Sequence, residues 1–217
     1  LPICAGLLRH LVGEMGLRRY YEVDVDETDG SGNTALQRAV RYCDVGSVVT
    51  LLKHGANVHK ANDYGNTALT IASGELGDTA DGAAVFEMVL AAARGDVDGR
   101  DEQERPLCIA AMRGRVERVR ALLAAGASVD VVGRDGLKAI HGAAMGGNIE
   151  VLREVVEAGG DCEAADRDNG KRPLHWAAVS KIDGQSAVID FLVDEMGVDV
   201  TARDRRGRTA IDKLNAE

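Results

Sequence analysis

Asp29–Gly30–Ser31–Gly32–Asn33–Thr34–Ala35–Leu36, completed by Leu51–Leu52–Lys53–His54–Gly55–Ala56–Asn57–Val58, decides how this chain folds. A glycine turn leads into a helix start, and an apolar helix then runs into a second glycine. The same order returns about every 33 residues along the chain. A unit of that size cannot bury its own apolar face, so a self-similar period implies stacked neighbours sharing a core.

Aligned on the turn, the slot reads Gly32, Gly65, Gln103, Gly136, Gly170 and Gly207, with spacings of 33, 38, 33, 34 and 37. Glycine suits a turn that needs positive φ, so Gln103 predicts a distorted third hairpin. The helix start follows as Thr34–Ala35–Leu36, Thr67–Ala68–Leu69, Arg105–Pro106–Leu107, Lys138–Ala139–Ile140, Arg172–Pro173–Leu174 and Thr209–Ala210–Ile211. A Thr there accepts from a free backbone N–H, worth about 0.5–2 kcal/mol. A Pro at the first helical position forfeits no hydrogen bond.

The second helix of each unit carries an i, i+3, i+4 apolar triplet: Val48/Leu51/Leu52, Phe86/Val89/Leu90, Val119/Leu122/Leu123, Leu152/Val155/Val156 and Val188/Phe191/Leu192. That spacing makes one helical stripe. Each stripe ends at Gly55, Gly95, Gly126, Gly159 or Gly197, as a left-handed cap requires.

These units resemble the ankyrin repeat, whose helix start reads Thr-Pro-Leu-His. His141 and His175 match the family histidine, while Gln37, Thr70, Cys108 and Asp212 replace it. The resemblance implies an all-α ankyrin-repeat solenoid, a hairpin plus two antiparallel helices per repeat. The expected divisions are a partial repeat or cap with an acidic connection (1–28), repeats at 29–61, 62–99, 100–132, 133–166 and 167–203, and a partial C-terminal repeat (204–217). The 62–99 and 167–203 units carry insertions, and Leu8/Leu11/Val12 with Gly16 fits a truncated second helix. In the family the residue at the His141 and His175 slot ties neighbouring hairpins together.

Composition agrees with stacked short helices. The 217 residues are 45% apolar but only 3% aromatic, with Trp176 the one tryptophan. Net charge is −9, which argues against non-specific nucleic-acid or anionic-membrane binding. No apolar run approaches the ~18 residues of a membrane helix. Leu1 is not an initiator, so the chain reads as a piece of a longer protein. Cys4, Cys43, Cys108 and Cys162 make no CxxC pair, which suits reduced thiols and an intracellular, cytoplasmic or nuclear, location.

No catalytic, cofactor or metal constellation emerges. Each central cysteine has a repeat slot, His54 and His59 lack a second ligand pair, and no phosphate loop is present. The ankyrin resemblance implies a monomeric, non-catalytic interaction module that presents a concave surface to a protein or peptide partner. Regulation of a larger enzyme or channel within one polypeptide is the competing reading.

Carried over by slot, the partner-binding candidates at hairpin tips are Asp63, Tyr64, Asn66, Arg134, Leu137 and Lys171, with Arg205, Arg206 and Arg208. At first-helix exits they are Tyr42, Met112, Arg113 and Met145. Trp176 is either core or part of the groove. Tyr42, Tyr64, Met112, Leu137 and Met145 are the expected apolar anchors. The late tips gather arginine, diluted by Asp135, Asp168 and Asp204, which suggests a partner with acidic patches. Leu17–Asn33 holds Glu22, Asp24, Asp26, Glu27 and Asp29, reading as a solvated acidic loop or a finger for a basic partner. Gly74–Ala84 and Ser180–Ala187 read as mobile loops between helices.

Overall fold

A computed structural model describes residues 24–99, 105–133, 136–180 and 182–214. The expected N-terminal partial helix, Tyr20, Tyr21, Glu22, the Gln103 hairpin, Arg134 and Asp135 lie outside the described residues. The described residues are helical, with one isolated bridge between Thr28 and Thr34. The chain divides into two compact units, 1–94 and 95–217. The division falls at Arg94 and Gly95, a few residues before Gln103, which stands in the sequence slot of the turn glycine.

In the first unit α1 (Ala35–Arg41) stacks on α3 (Ala68–Gly74), and α2 (Val45–Lys53) on α4 (Ala80–Ala92). In the second unit the first helices stack in series: α5 (Pro106–Met112), α7 (Ala139–Gly146), α9 (Pro173–Val179) and α11 (Ala210–Leu214). Outside them α6 (Val116–Ala124) lies on α8 (Ile149–Glu157), and α8 on α10 (Gln185–Asp190). A π-helical turn, Phe191–Glu195, continues α10.

The core follows the triplets. Val48, Val89, Val119, Leu122, Leu152, Val155, Val188 and Leu192 are fully buried. Leu52, Leu90, Leu123 and Val156 are half-buried at the outer edge of the first four stripes. The stop glycines all have positive φ, from 64° at Gly197 to 98° at Gly159.

Helix starts share a bond that the Thr and Pro pattern conceals. The cap residue's N–H donates to the side chain three residues on: Thr34 to Gln37 Oε1 (2.9 Å), Thr67 to Thr70 Oγ1 (2.6 Å), Lys138 to His141 Nδ1 (3.0 Å), Arg172 to His175 Nδ1 (3.2 Å) and Thr209 to Asp212 Oδ2 (2.8 Å). Three of these side chains then reach the next hairpin. Gln37 Nε2 donates to the Lys60 and Asn66 carbonyls at 2.7 and 2.8 Å, and His141 Nε2 meets the Ala164 carbonyl at 2.9 Å. His175 Nε2 meets the Arg208 carbonyl at 3.1 Å. A backbone N–H can only donate, so Nδ1 of each histidine is the acceptor and Nε2 carries the proton.

The insertions differ from expectation. Most of Gly74–Ala84 is not loop: Thr79 caps α4 by accepting from Gly82 N, and α4 runs 13 residues against 9 for α2. Leu76 is buried there. The segment around 180–184 is anchored where Ser180 Oγ donates to the Met145 carbonyl at 2.8 Å.

First helices pack closely because α7 presents glycines to α5. A Cβ on Gly142 would sit 2.8 Å from the Cys108 carbonyl oxygen, and one on Gly146 2.8 Å from those of Ala111 and Met112. Gly142→Ala is expected to cost about 1–3 kcal/mol, the usual penalty for overpacking. Gly30→Ala, where nothing lies within 4 Å, is the control with little effect. Denaturant unfolding of the two variants measures the difference.

Burial pushes the His141 imidazole below its ordinary 6.5, the Ala164 carbonyl opposing this in part, and burial lowers His175 likewise. Between the folded and unfolded values the unfolded chain binds more protons. The stability these rings carry is therefore intact above about pH 6.5 and is lost as pH falls below it. The thermal midpoint should drop between about pH 7 and about pH 5. In His141→Gln/His175→Gln, which copies the Gln37 arrangement, that drop should flatten. Asp204, held below its ordinary 3.8, loses its contribution only in a separate, more acidic window.

Candidate functional site

Four hairpins open on a side chain that folds back onto the turn's own backbone. Asp29 Oδ1 accepts from Ser31 and Asn33 N–H (2.9 and 3.0 Å), and Asn62 Oδ1 from Tyr64 and Asn66 (3.0 and 2.9 Å). Asp204 Oδ1 accepts from Arg206 and Arg208 (2.9 and 3.0 Å), and Asp166 Oδ1 from Asn169 (2.6 Å). The turn then closes with a backbone bond to the residue before the helix start: Asn62 to Asn66, Gly133 to Leu137, Asp166 to Lys171 and Asp204 to Arg208. Tips tie to tips as well, since Asp63 N–H donates to the Ser31 carbonyl (3.3 Å), Arg167 to Gly136 (3.2 Å) and Arg205 to Asn169 (2.9 Å).

This geometry turns the closing residue inward. Leu137, expected as an exposed anchor, is buried at 6% exposure, so it belongs to the core and not to a tip surface. Asn66, Lys171 and Arg208 occupy the equivalent position and are half-buried. The Arg208 guanidinium is paired with Asp204 Oδ2 at 3.1 Å.

Asp63, Tyr64, Arg205 and Arg206, nearer the apex, are exposed. Asp204 does not dilute their charge as the sequence suggested. It is 5% exposed, and its Oδ2 faces Lys213 Nζ at 3.2 Å. Burial alone would raise the Asp204 carboxyl, but the Arg208 backbone N–H and the Lys213 ammonium hold it far below the usual carboxylate range. Asp166 is buried too, and Asp168 is the exposed acid of its turn, 3.6 Å from Arg167 Nε.

At the first-helix exits Tyr42 is 71% exposed beside Arg38, whose guanidinium carbon lies 6.0 Å from the ring centroid. Arg113 is exposed, and Met112 and Met145 are half-buried. Trp176 is half-buried: its Nε1 donates to Asp166 Oδ2 at 3.0 Å, and Lys171 Nζ sits 4.0 Å from the ring centroid. The second unit thus brings Lys171 and Trp176 into contact and sets Arg205 and Arg206 on the adjoining tip. In the first unit Tyr42 leaves the end of α1 while Asp63 and Tyr64 form a tip.

Arg38, Ile109 and Ile182 escaped the sequence reading. Ile109 precedes Met112 by three residues on α5, a helical spacing that could have found it. The described part of the acidic connection is not a free finger. Asp26 Oδ1 accepts from Asn57 N–H at 2.9 Å, and the Asp26 carbonyl accepts from Lys60 Nζ at 2.6 Å.

Cys43, Cys108 and Cys162 are free thiols. Cys43 has φ 54° in an inter-helix turn where Gly114 and Gly147 stand in other units. Burial pushes the Cys162 thiol above its ordinary value, away from nucleophilic use. Among the described residues no group of three or more His, Cys, Asp or Glu could hold a metal ion, and no helix is long and apolar enough to cross a membrane.

Two family models match the sequence: three copies of the ankyrin repeat over residues 107–204, and a single ankyrin repeat over 31–63. Among curated proteins the chain is similar to the neurogenic locus notch homolog protein 1 of Xenopus tropicalis and that of Xenopus laevis. Each is 31% identical over 119 residues, covering 54% of this chain and 4% of the relative. The chain therefore corresponds to a small part of those relatives' length. Ankyrin repeats are general protein-interaction modules and typically non-catalytic. With the two models covering more than half its length, and hairpins tied in the same manner by Gln37, His141 and His175, this chain belongs to the ankyrin-repeat family.

Proposed function

We propose that the chain is a protein-binding module whose partner meets the hairpin apices and first-helix exits. One observation carries the reading. Polar side chains at the turn entrances and first-helix starts are turned inward to tie the fold, while large side chains stand exposed at the hairpin apices and first-helix exits. Tyr42 and Tyr64 are 71% and 62% exposed in a chain with few aromatics. Exposed Tyr at a rigid surface is well suited to a binding anchor, since it adds contact area with little rotamer entropy.

The contributing residues are Tyr42, Asp63 and Tyr64 in the first unit, and Met112, Arg113, Met145, Lys171, Trp176, Arg205 and Arg206 in the second. Leu137 takes no part because it is core. Arg208 and Asn66 belong to the hairpin ties instead. Apolar and aromatic members supply affinity; the arginines steer encounter and orientation.

A photocrosslinking amino acid placed at Tyr64 or Met145 should capture a partner in extracts. The same group at Lys53 or Glu157, exposed ends of second helices, should capture none. Adducts confined to Lys53 and Glu157 would put the binding face on the outer helices and end this reading.

A further inference from the structure

In the second unit the first helices carry a partly exposed apolar stripe. Ile109 and Met112 on α5, Met145 on α7, and Trp176 and Val179 on α9 lie at two slots, two and five residues beyond the recurring Leu107, Ile140 and Leu174; the first four are half-buried, and Gly142 fills the remaining slot on α7. Three-residue spacing places both slots on one helical face. The helices are adjacent: a Cβ on Gly146 would be 2.8 Å from the Met112 carbonyl oxygen, and Ser180 Oγ bonds the Met145 carbonyl. Val179 is 42% exposed, and Ile182 extends the strip at 47%.

The hairpin edge beside this floor is basic. Arg167, Arg205 and Arg206 are exposed, Arg205 Nη1 donating to the Asp168 carbonyl at 3.0 Å, whereas Asp166 and Asp204 are buried and engaged by their own turns, by Trp176 Nε1 and by Lys213 Nζ. Asp168 is the one exposed acid of the two tips at 166–172 and 203–208. Lys171 joins edge to floor, its ammonium lying 4.0 Å from the Trp176 ring. A net charge of −9 thus coexists with a local surface of the opposite sign.

We infer that this groove takes an acidic amphipathic segment of a partner protein, with apolar side chains on the Met112–Met145–Val179 floor and carboxylates on the Lys171–Arg205–Arg206 edge. The inference rests on the protein-binding reading above and names the chemistry of its ligand. Apolar floor alone would accept many segments; the basic edge selects among them by cost of mispaired charge. A basic or neutral segment would leave Lys171, Arg205 and Arg206 without counter-charge.

Fluorescence anisotropy tests it with a labelled synthetic peptide in which Asp and Glu alternate with Leu and Phe. Two companion peptides carry Lys for every acid, or Ser for every apolar residue. The full chain should bind the first peptide about tenfold or more tightly than either companion, with affinity falling as salt rises. Emission of Trp176, the one tryptophan, should change as a carboxylate draws Lys171 off the ring.

Lys171→Glu/Arg206→Glu should reverse the preference toward the Lys peptide at an unchanged unfolding midpoint. Should that variant unfold, Met145→Ser is the alternative, weakening the acidic peptide while leaving its salt slope intact. Equal affinity for all three peptides, or binding to none, overturns the inference. So does displacement by single-stranded RNA, or a self-association that occludes the groove. If the peptides fail while crosslinking from Met145 persists, only the acidic ligand is wrong; if both fail, the binding face is wrong as well.

Discussion

In three of the first helices the third residue satisfies two backbones at once. A helix start leaves N–H groups with no intrahelical carbonyl, and a seven-residue helix such as α1 has few bonds to offset that loss. Gln37, His141 and His175 accept from their own cap and donate to the following hairpin, so one side chain fixes both helix start and repeat-to-repeat register. Only a side chain with an acceptor and a donor at opposite ends can do this. A neutral imidazole and a carboxamide qualify. Thr70 closes its cap but returns its own hydroxyl to the Thr67 carbonyl, and Cys108 offers only a thiol 3.7 Å from the Lys138 carbonyl.

That bond dictates what remains outside. The Asx-type residues at the turn entrances face their own backbone, and Gln37, His141 and His175 face the next hairpin, so these polar side chains are drawn away from the outer surface. Arg105 shows how far the requirement extends where the histidine is absent. Its guanidinium bonds the Asp98 and Gly99 carbonyls at 2.8 and 2.6 Å and the Val132 carbonyl at 3.2 Å, linking hairpin segments on both sides. An arginine in such a position contributes nothing to a binding edge, whereas Arg206 three hairpins later keeps its charge outside.

What the sequence made legible was whatever is local. Period, apolar triplets and stop glycines are set by helix geometry and φ, and each appears where the residues placed it. Direction across repeats was not legible. Leu137 sits one residue past a hairpin glycine, as Asn33 and Asn66 do, and whether that position faces in or out depends on the turn's closing bond and on the neighbouring hairpin. Asp204 misled for the same reason: as a letter it is a tip charge, but in place its carboxylate is sealed between Arg208 and Lys213. The Gly74–Ala84 stretch has loop composition, yet Thr79 caps it and the buried face of Val85, Phe86 and Val89 draws it into helix. Tertiary burial outweighed a weak local preference there.

Trp176 illustrates why the two units should not bind alike. Its indole edge is held by the buried Asp166 carboxylate and its face is covered by Lys171, so both ring and ammonium are positioned before any partner arrives. Met112 and Met145 are half-buried and similarly confined. Tyr42 and Tyr64 are far more exposed, at 71% and 62%, and immobilising an exposed side chain on binding costs about 0.5–1.5 kcal/mol. On the proposed binding role, preorganisation would favour a ligand of the second unit, since Trp176 and Lys171 lose less freedom on contact than an exposed side chain does.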